Sequence, residues 1–107
     1  MVIKVLIKPL SVNQAWQGKR FKTKSYKAFE KEIILKMPKA KIEFKKPLKV
    51  NITFGFSNSL SDIDNPLKPT LDCLQKKYGF NDRDIYELNV KKEITKIGNE
   101  FISVQIL

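Results

Sequence analysis

The sequence predicts an α+β fold: a mixed sheet of about four strands with two helices on one face, in the order β-α-β-α-β-β. Three observations predict it. Short runs alternate apolar and polar residues with period two, two longer stretches set apolar residues at helical spacing, and Pro or Gly punctuates the joins.

Ile3, Val5 and Ile7 alternate with Lys4, Leu6 and Lys8 in an opening strand that Pro9 ends, and residues 9–22 read as a loop. From Ser25 to Met37, the residues Tyr26, Phe29, Ile33 and Met37 form a helical stripe, with Thr23 or Ser25 to cap it and Pro38 to stop it. After a lysine-rich connection, Val50, Ile52, Phe54 and Phe56 mark a second strand over 48–56. Pro66 suits a first helical position with Asp64 or Asn65 as cap, and Leu67, Leu71, Leu74 and Tyr78 share one stripe, so a second helix spans 66–78 and stops at Gly79.

The FNDRD turn then leads into a third strand through Tyr86, Leu88 and Val90. Gly98-Asn99 reverses the chain. Ile102, Val104 and Ile106 mark a last strand, expected to pair antiparallel with the third. Repeats, low-complexity tracts and linkers are absent, so residues 1–107 read as one domain.

Lysine and arginine number 21 against 11 acids, a net charge of +10, which calls for a polyanionic partner, nucleic acid above all. A membrane surface is discounted: there is no basic amphipathic segment with a wide apolar face, no acylation motif, no signal peptide and no run of ~20 apolar residues. The expected location is cytoplasmic, and lone Cys73, unable to form an intramolecular disulfide, agrees. The chain has no histidine, which excludes Ser-His, Cys-His and histidine-zinc chemistry and leaves carboxylates, lysines and hard cations.

Four acids flank the second helix: Asp62 and Asp64 before it, Asp82 and Asp84 after it. Residues two apart in an extended segment project to one face, so Asp62 and Asp64 suit a shared hard cation. If the helix returns the FNDRD turn to that end, a third carboxylate completes a Mg2+ site. Lys68, one helical turn past Asp64, leans toward the same place from a helix N-terminus, where a phosphate and its developing charge are stabilised. The bland reading makes Asp64 a cap and pairs Lys68 with Asp72 at i+4. Against it stands the charge balance: acids clustered in so basic a protein repel a phosphate backbone unless a cation bridges them. In the 9–22 loop, Trp16 and Phe21 stand among Lys19, Arg20 and Lys22, a composition suited to gripping phosphates and stacking on bases, although a core-packed Trp16 is equally in keeping.

The run Asp62-Ile63-Asp64-Asn65-Pro66-Leu67-Lys68, then Leu71-Asp72-Cys73-Leu74, Gly79 and Asn81-Asp82-Arg83-Asp84-Ile85, resembles the RusA family of Holliday junction resolvases. Pro9-Leu10-Ser11-Val12-Asn13, Trp16 and the helix holding Tyr26 and Phe29 resemble that family's opening. The resemblance implies a homodimeric, Mg2+-dependent endonuclease that nicks two opposed strands of a four-way DNA junction in recombination and repair, and relatives of this size are common in prophages. It implies Asp62, Asp64 and Asp82 as metal ligands and Lys68 as the group on the phosphate. Beside these, Asn13, Trp16, Lys19, Arg20, Lys22 and Arg83 are the candidate DNA contacts. The acidic turn departs from the family's adjacent acids, so Asp84 is the alternative third ligand; Asp82 is preferred because it leaves Ile85 as the first apolar residue of the next strand. Ser61 replaces a common basic residue. Two other functions fit the composition: a non-catalytic nucleic-acid-binding module, and a nuclease for flaps, forks or structured RNA.

Overall fold

The computed structural model describes residues 1–10, 16–17, 21–40 and 45–107, with 16–17 and 21–22 described through their backbone alone. The elements are β1 (Val2–Val5), β2 (Trp16–Gln17), β3 (Phe21–Lys22), α1 (Lys24–Lys36), β4 (Leu48–Phe56), α2 (Leu67–Tyr78), a 3-10 turn (Asp82–Asp84), β5 (Ile85–Ile94) and β6 (Phe101–Ile106).

The α+β class is as the sequence predicts. Ile3, Val5 and Ile7 all turn into the core, as do Val50, Ile52 and Phe54 of β4 and Ile102, Val104 and Ile106 of β6. The helices cover this one face. Tyr26, Phe29 and Ile33 of α1 and Cys73, Leu74 and Tyr78 of α2 are buried against it. Thr23 caps α1 by accepting from Tyr26 N–H at 3.1 Å, and Gly79, at φ 79°, closes α2. The two helices are tied by Lys76 with Glu30 and by the Tyr78 hydroxyl, which donates to the Pro38 carbonyl at 2.8 Å.

Three expectations are corrected. First, part of the 9–22 loop is a small hairpin, Trp16 facing Lys22 and Gln17 facing Phe21. Second, α2 starts at Leu67, with no side-chain cap from Asp64 or Asn65. Third, β6 does not pair with β5. The sheet order is β1-β6-β4-β5, with β6 antiparallel to both neighbours and β5 parallel to β4. Residues 95–100 pass the end of β4, where Thr95 N–H donates to the Phe56 carbonyl at 2.7 Å. The chemistry of the strands explains the order: β6 is apolar enough for the interior, whereas β5 carries Glu87, Lys91, Lys92 and Glu93, charges that an edge tolerates.

Candidate functional site

The loop between β4 and α2 carries Asp62 and Asp64, and a set of polar anchors shapes it. The Asn58 side chain accepts from Leu60 N–H at 2.9 Å and from the Ser61 hydroxyl at 3.3 Å, an Asx-type turn. From β5, the Lys92 ammonium donates to the carbonyls of Ser59 (2.9 Å) and Ser61 (2.5 Å). The next residue, Asp62, accepts from the Asn65 amide at 3.3 Å, so Asn65 supports this carboxylate instead of capping α2. The Asp64 carbonyl accepts from Leu67 N–H at 3.2 Å while its side chain is exposed.

Asp62 borders a cavity of about 310 Å3 where three strand ends meet, lined also by Lys8 beyond β1, Phe56 and Asn58 at the end of β4, Asn65, and Glu100 ahead of β6. Glu100 accepts from Gly98 N–H at 2.7 Å. Its carboxyl is held below its ordinary value by its own backbone N–H, then by Gly98 N–H, the Ser57 hydroxyl and the Lys8 charge, against an opposing desolvation. Sequence reasoning missed Glu100 because only the seating of β6 beside β4 brings residue 100 to the Asp62 end.

Asp82 lies elsewhere. Gln75 ties the turn to α2 by accepting from Asp82 N–H at 2.9 Å, and the Asn81 side chain accepts from Arg83 N–H at 3.0 Å, leaving Asp82 and Arg83 exposed. Asp84 is engaged by Lys46 at 3.1 Å. Because β5 runs parallel to β4, Ile85 stands beside Leu48, at the end of β4 opposite to Phe56. The helix joining parallel strands must carry the chain back along their full length. The 12 residues of α2 cover roughly 18 Å, and the nine of β4 roughly 30 Å. The expected return of the FNDRD turn to Asp62 therefore does not occur within one chain, and no three acidic, Cys or His side chains group as a metal site among the described residues. The donors suit a hard cation in type, but in place the chain brings only two of the three expected carboxylates, Asp62 and Asp64, to this loop.

Lys68 stands in the first turn of α2, 3.7 Å from Asp72 and 63% exposed in its side chain. It does not line the cavity. An exposed pair of this kind contributes about 0.3–0.5 kcal/mol, so little holds the ammonium back from a phosphate. Of the remaining sequence-predicted contacts, Trp16 and Lys22 are placed by backbone in the hairpin, and Asn13, Lys19 and Arg20 lie outside the described residues.

Comparison with known families finds a match over residues 8–106 to the family described as Endodeoxyribonuclease RusA. Comparison with curated proteins finds no match.

Proposed function

The chain belongs to the RusA endodeoxyribonuclease family, and from that membership we propose that it resolves four-way DNA junctions as a homodimer, each protomer nicking one of two opposed strands with Mg2+ as cofactor. The observation that carries the reading is the family match, which spans the whole interval from Asp62 to Asp84. The net charge of +10 supports it by supplying attraction for a phosphate backbone. So does the exposure of Asp62 and Asp64 on a loop held by Asn58, Asn65 and Lys92.

In this reading Asp62 and Asp64 hold the cation, which when bound acidifies a water to give the nucleophile. Lys68 meets the charge that develops on the phosphate. Asp82 is the third carboxylate, with Asp84 as the alternative; since α2 carries this turn to the far end of β4, the reading assigns it to the site of the partner chain in the proposed dimer. A two-fold dimer also fits a substrate that needs two symmetric cuts. Asn13, Trp16, Lys19, Arg20 and Lys22 of the segment 9–22 grip the junction arms, and Arg83 adds a phosphate contact.

The test is cleavage of a synthetic four-way junction and a matched linear duplex, with Mg2+ or EDTA, by wild type and Asp64→Asn. Paired nicks should appear only with wild type, junction and Mg2+, while the variant still binds. Binding without cleavage under every condition would instead assign a non-catalytic module. Cleavage insensitive to EDTA would remove the metal.

A further inference from the structure

We infer that the outer edge of β5 is the surface that receives a second copy of this chain, the two β5 strands pairing antiparallel about Asn89 so that Glu87 of each protomer faces Lys91 of the other. β5 is the last strand of the sheet, and across its ten residues nothing among the described residues pairs with the outer edge. An open edge of this length is a template for another strand.

Its side chains are as unfinished as its backbone. Leu88, Val90 and Ile94 lie on the core-facing side, in register with Val50, Ile52 and Phe56, yet Leu88 is 40% and Ile94 56% exposed. The β4 residues beside them are buried. Ile85 and Val90 pack against the buried cluster while Leu88 and Ile94 stay open, and an edge guarded only by charge has no use for this apolar row.

The sequence selects both the partner and the register. A two-fold axis perpendicular to a sheet keeps each side chain on its own face, so facing residues must share that face. Centred on Asn89, the pairing opposes Glu87 to Lys91 on the polar face and Leu88 to Val90 on the core face, each twice. Both are favourable cross-strand pairs, and the self-complementarity is what an isologous interface requires. Centring on Val90 opposes Glu87 to Glu93 and Leu88 to Lys92. Centring on Leu88 shortens the ladder and sets Glu87 opposite Asn89, without an opposite charge, whereas in the Asn89 register Glu87, 3.5 Å from Lys49 across the β4–β5 ladder, gains Lys91 on its open side. The interface elaborates the homodimer of the proposed function and does not depend on the nuclease chemistry. Pairing in this sense also lays the partner's Asp82–Asp84 turn at the end of β5 where Lys92 anchors the Asp62 loop.

Two experiments on the full chain test it. Facing residues of an antiparallel ladder have Cα atoms about 4.5–5.5 Å apart, within disulfide range, so Asn89→Cys should oxidise to a covalent dimer. Val90→Cys should not, and wild type, whose Cys73 is buried, should not either. Glu87→Lys should weaken the dimer by about tenfold or more, and Glu87→Lys combined with Lys91→Glu should restore it. A wild-type monomer in light scattering overturns the inference, as does cross-linking through Val90→Cys in place of Asn89→Cys, or a dimer indifferent to Glu87→Lys. If junction cleavage persists in that last case, the nuclease reading stands while this interface falls.

Discussion

Gly55 and Phe101 face each other across the β4–β6 ladder, and the phenyl ring occupies the space a side chain on residue 55 would need: a Cβ there would lie 2.2 Å from Phe101 Cδ1. The Lys4 ammonium sits 4.5 Å from the centroid of the same ring, so Phe101 is held between backbone and cation on the sheet face that the helices leave uncovered. This contact fixes β6 beside β4 and sets Glu100 next to the Asp62 loop. Gly55→Ala should therefore destabilise the protein by about 1–3 kcal/mol through overpacking, read as a lowered Tm. Adding Phe101→Ala should cost less than the two single changes together, because the clash disappears with the ring. Additive losses would show that the ring does not press on residue 55.

Much of this arrangement is legible in the sequence. The bounds of β4 and the buried stripe of α1 follow directly from apolar spacing, since burial on one face is what the spacing records. Neighbourhood is harder. Alternation in Ile102, Val104 and Ile106 says which side chains point inward but not which strand lies alongside, so β6 could be assigned to β5 when it belongs with β4 and β1. The same gap displaced Asp82: its position depends on β5 running parallel to β4, which no local pattern encodes. The Trp16–Lys22 hairpin is too short for any period to register.

Lys68 separates catalysis from folding. Its pair with Asp72 is exposed and contributes little, so Lys68→Ala should leave Tm nearly unchanged. If Lys68 meets charge that develops only in the transition state, junction affinity should also change little while single-turnover cleavage falls by roughly 10²–10³. Equal losses in binding and cleavage would make it a general phosphate contact instead.

Asp82 and Asp84 differ in what already holds them. The Asp84 side chain is 18% exposed and lies 3.1 Å from Lys46, whereas Asp82 is exposed. Asp82→Asn should abolish metal-dependent cleavage at unchanged Tm. Asp84→Asn should lower Tm slightly by unpairing Lys46 and retain cleavage. The reverse pattern, with cleavage lost only in Asp84→Asn, would transfer the ligand role to Asp84 and leave Asp82 a surface residue.

Glu100 gives the cavity a signature in acid. Its own N–H, the Gly98 N–H, the Ser57 hydroxyl and Lys8 hold the folded carboxyl below the ordinary 4.5, so the folded protein binds a proton there less readily than the unfolded chain. The resulting stabilisation is fully present above 4.5 and disappears as pH falls through the depressed folded value. Glu100→Gln should thus melt below wild type at neutral pH, with the gap closing as the solution is acidified past that range. Lys8→Met should narrow the gap in part, since it removes one of the depressing charges. Melting curves for wild type and Glu100→Gln that stay parallel through the acid range would mean that Glu100 titrates alike in both states, and that Lys8 and the Gly98 turn do not hold it at the mouth of the Asp62 cavity.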